Sequence, residues 1–233
     1  MKRNRLAAYA VGIAVAAAMT GCGGDDDGGG DSDFADEKPA DIVEAATTAM
    51  GELDSLRISG EMASEDQSGT IDIQLSNDGD CTGSLSFDQS GTIEILGVDG
   101  DRWFKGDEEF WSSTGIPDTS VVLDKWVSDA QGDFAEFCTV EDFVGGLFED
   151  ESDEEYETKG TETVDGDEAV VIEQDDAEDG VSTGYVLVDE PHYMVKIEKE
   201  GDEGGSVAFT DFNEEFEVTA PSDDEVVDLS QLG

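Results

Sequence analysis

The chain has 233 residues, of which 61 are acidic and 11 are basic, and its formal net charge at pH 7 is −50. Three of the 11 basic residues lie within the first five positions, so eight remain in the rest of the chain. Contact with a nucleic-acid backbone needs many Lys and Arg side chains to displace counterions. The composition therefore excludes a nucleic-acid-binding protein, and it makes anionic headgroups a poor target for the surface.

The amino terminus predicts export. A basic segment precedes an apolar run over residues 6–19, and this order is typical of a secretory signal peptide. The run of 14 residues would rise about 21 Å as a helix, which is short of the roughly 30 Å hydrocarbon core of a bilayer. Because small residues directly precede Cys22, we interpret residues 1–21 as a lipoprotein signal peptide and Cys22 as the acylated first residue of the mature chain. The alternative is an ordinary signal peptide that is cut nearby.

A tether is predicted for residues 22–38. From Gly23 to Asp33 the chain contains Gly, Asp and Ser and no apolar residue to bury, which is typical of a flexible, self-repelling linker. A calcium-binding loop is the alternative for this acidic run, but the ligand spacing of an EF-hand is missing. The folded domain is predicted for residues 39–233.

The domain begins with a predicted helix over about residues 40–53, where apolar residues recur at helical spacing. Apolar and polar residues then alternate, as they do in antiparallel strands with one buried face. The alternating segments are residues 56–58, 71–75, 85–87, 93–95, 170–172, 185–187, 193–197, 207–209 and 216–218. Turns at Asp78-Gly79, Asp99-Gly100 and Asp165-Gly166 predict hairpins between consecutive strands.

Two helices are predicted between the two groups of strands. Val122, Trp126 and Ala130 are four residues apart and predict the first, after Pro117. The second begins at Thr139, because apolar residues follow at the spacing of one helix face over residues 140–148. Strands, then helices, then strands favour an α+β fold with an antiparallel sheet of about ten or eleven strands, and argue against a βαβ dinucleotide-binding fold.

Cys81 and Cys138 remain as a pair once Cys22 is acylated, and an exported chain meets an oxidising compartment. We therefore predict a disulfide that ties the helical segment to the sheet, with two buried free thiols as the alternative. A metal site is disfavoured because His192 is the sole histidine that could join the two cysteines. The chain also lacks a nucleophile elbow, a zincin helix and a phosphate loop, so neither a catalytic residue nor a cofactor is expected.

Several segments together carry a family resemblance. They are Cys22 with its polar tether, residues 56–60, residues 79–83, residues 103–107 running on to Phe110-Trp111, and residues 209–212 running on to Ala220-Pro221. In this combination the chain resembles the LppX/LprG-type lipoproteins of actinobacteria. The resemblance implies the fold of the LolA/LolB lipoprotein carriers, which is a strongly curved antiparallel half-barrel with helices across its concave face.

The resemblance also implies a function. Members of the family hold acyl chains between the sheet and the helices, so we expect a non-enzymatic monomer that binds a lipid or lipoglycan. Its Cys22 lipid would anchor it to the outer face of the cytoplasmic membrane. The residues expected at the cavity are Ile58, Ile73, Phe87, Ile95, Trp103, Phe110, Trp111, Trp126, Phe143 and Phe148. The alternatives are that these side chains only fill the core, and that the protein is a structural or signalling component of the envelope.

The acidity predicts a salt dependence. Repulsion among 61 carboxylates opposes folding at low ionic strength, whereas molar salt shortens the Debye length to about 3 Å and removes most of the repulsion. We therefore expect a salt-tolerant source and a melting temperature, measured by circular dichroism, that rises from dilute buffer to molar salt. A melting temperature that does not rise would contradict this account.

Overall fold

The structure is a computed structural model that describes residues 34–64, 67–114, 118–129, 132, 134–148, 156–176, 180–201 and 204–227. The predicted signal peptide, Cys22 and the tether up to residue 33 lie outside the described residues. Phe34 and Ala35, which the sequence assigns to the tether, pack against the core of the domain.

The described residues form twelve strands, three α-helices and two 3-10 turns. The strands are β1 (Ser55–Ser64), β2 (Gln67–Ser76), β3 (Cys81–Phe87), β4 (Gly91–Val98), β5 (Asp101–Gly106), β6 (Trp126–Ser128), β7 (Tyr156–Val164), β8 (Asp167–Asp176), β9 (Gly180–Leu187), β10 (Met194–Lys199), β11 (Gly205–Thr210) and β12 (Val226–Val227). The helices are α1 (Pro39–Gly51), α2 (Glu108–Ser113) and α3 (Val140–Phe148), and the 3-10 turns are η1 (Thr119–Val121) and η2 (Ala135–Cys138).

The strands form one open, curved sheet in the order β12-β6-β5-β4-β3-β2-β1-β11-β10-β9-β8-β7. Neighbouring strands are antiparallel, except that β12 pairs in parallel with β6. α2, η1, η2 and α3 all come between β5 and β7 in the chain. The α+β class and the curved half-barrel are thus confirmed, and the short strands β6 and β12 bring the described total to twelve.

The three predicted Asp-Gly hairpins are confirmed. In each turn the glycine has a positive φ, and Asp99 and Asp165 have one as well, at 53° and 52°. Two consecutive positive φ angles are the geometry of the tight turns that match the twist of antiparallel strands. The turns therefore fix β2 to β3, β4 to β5 and β7 to β8 as neighbours.

Glycines on the inner face let neighbouring strands approach closely. A methyl group added at Gly60, Gly83 or Gly205 would overlap the backbone of the adjacent strand, which at Gly83 is the carbonyl group of Asp72. Glycine in a strand often marks such a bend or close approach. These residues allow the sheet to curve, because any larger side chain would hold the strands apart.

Helix α1 fills part of the bowl that the curved sheet forms. Its side chains Ile42, Ala46 and Met50 are fully buried, and Pro39 occupies its first position, where the missing N–H costs nothing. They belong to one large core cluster with inward-facing side chains from strands β1 to β4 and β8 to β11. Burial of these side chains against the sheet, rather than helix propensity, holds α1 in place.

Two predicted elements are wrong. The spacing of Val122 and Trp126 does not form a helix, because the chain makes the 3-10 turn η1 and then places Trp126 in strand β6; Ala130 lies outside the described residues. Residues 216–218 do not form a strand, although they alternate apolar and polar residues. In both cases three residues are too few to separate one period from another.

The role of the inner-face glycines can be tested by substitution. We expect Gly83→Ala to lower the free energy of unfolding by about 2 kcal/mol or more, because overpacking against rigid backbone is costly. The matched control is Gly145→Ala on α3, where an added methyl group meets no atom within 4 Å and should stabilise the helix by about 0.5–1 kcal/mol. Urea unfolding measures both. Equal effects of the two substitutions would contradict the proposed origin of the curvature.

Candidate functional site

A row of inward-facing side chains crosses the concave face. In the strand register Ile58 lies opposite Ile73, and Gly83 separates Ile73 from Ile95. Ile95 in turn lies opposite Phe104 of β5. The three isoleucines are 0–1% exposed and belong to the main core, so they form the floor of the bowl.

Exposed aromatic surface lies to one side of this floor. Among the described residues, seven phenylalanines pack against the main core yet stay partly exposed. One of them, Phe212, stacks on Tyr193. We call the other six the phenylalanine seam: Phe87, Phe104, Phe110, Phe134, Phe137 and Phe143. They come from strands β3 and β5 and from the covering segments α2, η2 and α3. The seam is therefore the boundary at which the cover meets this half of the sheet.

Phe104 is the centre of the aromatic contacts in the seam. Its ring centroid lies 5.1 Å from that of Phe134 and 6.4 Å from that of Phe110, and the pair with Phe110 is edge-to-face. Gly106, two residues further along β5, has no side chain, and a methyl group there would overlap the Phe110 ring. The glycine thus lets α2 lie directly on the sheet.

Trp111 lies beside the seam in a small core of its own. The side chain is 1% exposed, packs with Val122 and Val127, and has its ring centroid 5.7 Å from that of Phe104. Its indole N–H is buried and has no hydrogen-bond partner in the part of the chain that the structure describes. A buried donor without an acceptor is uncommon in folded proteins.

The other two tryptophans lie on the opposite face of the sheet. Phe104 and Val127 point inward, so Trp103 and Trp126, their neighbours in the chain, point outward. The Nζ atom of Lys105 lies 4.7 Å from the ring centroid of Trp126 on this outer face. Trp103 and Trp126 are therefore not part of the concave surface at which the sequence placed them.

The remaining expected residues fall into two groups. Phe87, Phe110 and Phe143 belong to the phenylalanine seam. Phe148 ends helix α3, and its side chain lies outside the described part of the structure. Phe104 was not among the residues expected at the cavity. The sequence instead placed its neighbour Trp103 on the inner face, and two adjacent residues of a strand point to opposite faces.

The predicted disulfide is confirmed between Cys81 and Cys138, whose Cα atoms are 4.9 Å apart. Cys81 begins β3 and Cys138 ends η2, so the bond joins the cover to the sheet. A methyl group at Gly97 would lie 2.8 Å from the sulfur of Cys81 and 3.3 Å from that of Cys138. Glycine at this position therefore makes room for the bond.

The side chain of Asn77 connects helix α1 to helix α3. Its side-chain nitrogen donates to the carbonyl oxygen of Leu53 at 2.7 Å, directly after α1. Its side-chain oxygen accepts from the backbone N–H of Glu141 at 3.1 Å, in the first turn of α3. One side chain in the β2–β3 turn thus connects the end of α1 with the start of α3.

Basic side chains on the outer face are paired with acids. Arg57 contacts Asp72 at 2.8 Å and Asp211 at 3.9 Å, and its hydrogen bond to Asp72 is the main cause that raises the pKa of the guanidinium. Lys105 contacts Glu94 at 2.7 Å across β4 and β5. These exposed pairs add little stability each, but they occupy two of the eight basic residues of the domain.

A second network lies on the outer face of β9 and β10. Lys196 contacts Glu198 at 2.6 Å, and Tyr185 donates to the same carboxylate at 2.7 Å. The hydrogen bond from Lys196 is the main cause that lowers the pKa of Glu198, and the bond to Glu198 raises the pKa of Tyr185 to about 12. Both groups keep their ordinary charge states near neutral pH.

Two surface grooves lie away from the seam. One, of about 660 Å³, is lined by the solvent side of α1 together with Pro191 and Tyr193. The other, of about 480 Å³, is lined mostly by polar and acidic residues, including Asp54, Asp78 and Glu214. None of the expected cavity residues lines either groove.

Neither a metal site nor a membrane-spanning helix is found in the described part of the chain. No three His, Cys, Asp or Glu side chains among the described residues converge as metal ligands would. Among the same residues, every helix is too short or too polar to cross a bilayer.

An open antiparallel sheet with helices across its concave face defines the half-barrel class of fold. Solved structures share this fold, and two of them are described here. LprF from Mycobacterium bovis aligns with a TM-score of 0.56 and 12% identity, over 79% of this chain and 97% of LprF. The Mycobacterium tuberculosis lipoprotein LppX aligns with a TM-score of 0.51 and 13% identity, over 78% of this chain and 100% of LppX.

These likenesses confirm the fold that the resemblance implies, and at such low identity they establish the fold alone. A LolA superfamily protein from Nitrosomonas europaea aligns with a TM-score of 0.26 and 11% identity, over 76% of this chain and 93% of that protein. That score is too low to support an inference. No protein-family model and no curated protein matches the sequence.

The position of the disulfide predicts that it holds α3 against the sheet. Cys81 and Cys138 are 57 residues apart, so replacing both with Ala should lower the free energy of unfolding by about 4 kcal/mol in the chain-entropy model. We expect amide hydrogen exchange to accelerate more in α3 than in α1, because the bond lies directly before α3. Exchange that accelerates equally in both helices would contradict a local clamp.

Proposed function

We propose that the protein is an exported, non-enzymatic lipoprotein that binds the acyl chain of a lipid or lipoglycan. The chain would lie between the curved sheet and the covering segments α2, η2 and α3. Cys22 would carry the lipid anchor, so that the folded domain stands at the outer face of the cytoplasmic membrane. Transfer of the ligand to another carrier is part of the proposal.

The observation that carries the proposal is the phenylalanine seam, in which six partly exposed aromatic side chains come together where α2, η2 and α3 meet strands β3 and β5. Other partly exposed aromatic side chains that pack against the same core are Tyr156, Tyr193 and Phe212. Solvent-accessible aromatic surface continuous with a core is typical of ligand-binding sites for apolar molecules.

The cover on this side is also built from short elements. α2 has six residues, η2 has four and α3 has nine. Helices of this length are unstable in isolation, so contacts with the sheet and the disulfide hold the cover in place. Separation of these short segments from the sheet therefore requires the loss of few backbone hydrogen bonds.

A second candidate function is that of an envelope structural or signalling protein with a filled core. The dense packing under α1 favours it, because Ala46, Met50 and Leu53 leave no exposed surface there. The two surface grooves described above also lie outside the bowl. Bound lipid distinguishes the two functions, since a filled core cannot hold an acyl chain.

The test uses the predicted mature chain, residues 22–233 with Cys22→Ser, secreted from a bacterial host and purified without detergent. We expect mass spectrometry of an organic extract to find about one acyl lipid per chain. Phe143→Glu places a charge in the seam and should reduce the bound lipid about tenfold or more, because a carboxylate is costly beside an acyl chain. Thermal unfolding verifies that this variant is folded.

The matched control is Val121→Glu, which places the same charge on a side chain that is 39% exposed and lies outside the seam. It should leave the bound lipid unchanged. An extract without lipid, together with no binding of an added fluorescent fatty acid, would contradict the proposed function and favour the filled-core alternative.

A further inference from the structure

Arg102 differs from the other basic side chains of the folded domain. Lys38, Arg57, Lys105, Lys159 and Lys196 each contact a carboxylate, and Lys125 donates to the carbonyl oxygen of Asp224. Arg102 has no ion pair and no side-chain hydrogen bond with any described residue, and its Nε atom is buried without a partner. A guanidinium group without an acceptor among the described residues is unusual in a chain with 61 carboxylates.

The position of Arg102 is on the inner face. It lies two residues before Phe104 on β5, so the two side chains point to the same side of the sheet. Its cross-strand partner is Gly97, which lies beside the disulfide. Arg102 is therefore next to the phenylalanine seam and beneath the segment that leads to η2.

Asp129 lies beside the backbone of Arg102, and its carboxylate is already engaged. Asp129 donates its backbone N–H to the carbonyl oxygen of Arg102 at 2.9 Å, and its carboxylate accepts from the N–H groups of Gly132 and Phe134. The terminal nitrogen Nη2 of Arg102 lies about 4 Å from the position that a methyl group on Gly132 would occupy. The guanidinium thus reaches a turn that has no side chain at Gly132.

Two buried donors that have no acceptor among the described residues flank Phe104. One is Nε of Arg102 and the other is the indole N–H of Trp111. Donors without acceptors favour a ligand that supplies oxygen atoms, and a guanidinium favours anionic oxygen most strongly because it forms charge-assisted, bidentate hydrogen bonds.

We propose that Arg102 binds the anionic headgroup, a carboxylate or a phosphate, of the acyl ligand in the phenylalanine seam. This inference rests on the proposed function, because the acyl chain supplies the rest of the binding. The ligand would then be an amphiphile with one anionic headgroup. The outer face, which is strongly acidic, has no comparable site for an anion among the described residues, since its cations are paired.

The test compares cis-parinaric acid with its methyl ester, which have the same fluorescent chain and differ in the charge of the headgroup. The protein is the mature chain with Cys22→Ser, at pH 8 and in molar salt. We expect it to bind the acid at least about tenfold more tightly than the ester, which is the size of a charge-assisted hydrogen bond. Arg102→Gln should remove this preference and leave the affinity for the ester unchanged.

Two further variants make the test specific. Lys105→Gln removes the same charge from the outer face of the same strand and should keep the preference, so it controls for the general electrostatic field. Arg102→Lys should restore part of the preference, because it keeps the charge and loses the bidentate geometry.

The outcomes separate the two proposals. If the wild type binds neither probe, the proposed function fails and this inference fails with it. If the wild type binds both probes equally, or if Arg102→Gln keeps the preference for the acid, the inference is overturned while the proposed function stands. If Arg102→Gln weakens both probes equally, Arg102 acts on the fold of the seam and not on the headgroup.

Discussion

Close approach of neighbouring strands gives this fold its shape. A sheet of twelve strands can twist and still be open and uncurved. The helices would then pack on one face of that sheet, and no concave surface would form. Gly60, Gly83 and Gly205 place hydrogen atoms where larger residues would push the adjacent strand away. The curvature that results creates a concave face too wide for α1 alone to fill. The short covering segments between β5 and β7 follow from this shape, because they close the half of the bowl that α1 does not reach.

The cover differs in strength from one side to the other. α1 is a 13-residue helix whose apolar stripe is fully buried, so its removal would expose a large apolar area. The opposite side depends on short elements, on the Cys81–Cys138 disulfide and on the side chain of Asn77. Asn77 contacts both the residues that follow α1 and the start of α3, and the two helices also lie against each other, so the weak side is tied to the strong side. An apolar ligand that enters at the seam would therefore displace the weaker cover and leave α1 in place.

Much of the sheet could be predicted, because apolar and polar residues alternate clearly wherever one face of a strand is exposed to solvent, as they do around Ile73. Alternation fails in β8, where residues 169–172 are all buried, since apolar side chains lie on both faces there. For the same reason Tyr185 faces outward although its spacing matches the inward set. In β5 two adjacent aromatics, Trp103 and Phe104, give no information about which one faces the core. The disulfide could be predicted from the cysteine count, whereas the phenylalanine seam could not, because it depends on how the cover meets the sheet.

The position of Arg102 also explains how an anionic ligand could bind to so acidic a protein. Exposed carboxylates repel an anion at long range, but this repulsion is screened beyond about 3 Å in molar salt. A contact at hydrogen-bond distance with a partly buried guanidinium is screened much less. Salt therefore removes the unfavourable long-range term and keeps the favourable short-range one. The strong acidity, whose repulsion molar salt screens, and the capture of an anionic headgroup are therefore compatible, because the carboxylates act across solvent and Arg102 acts within the bowl.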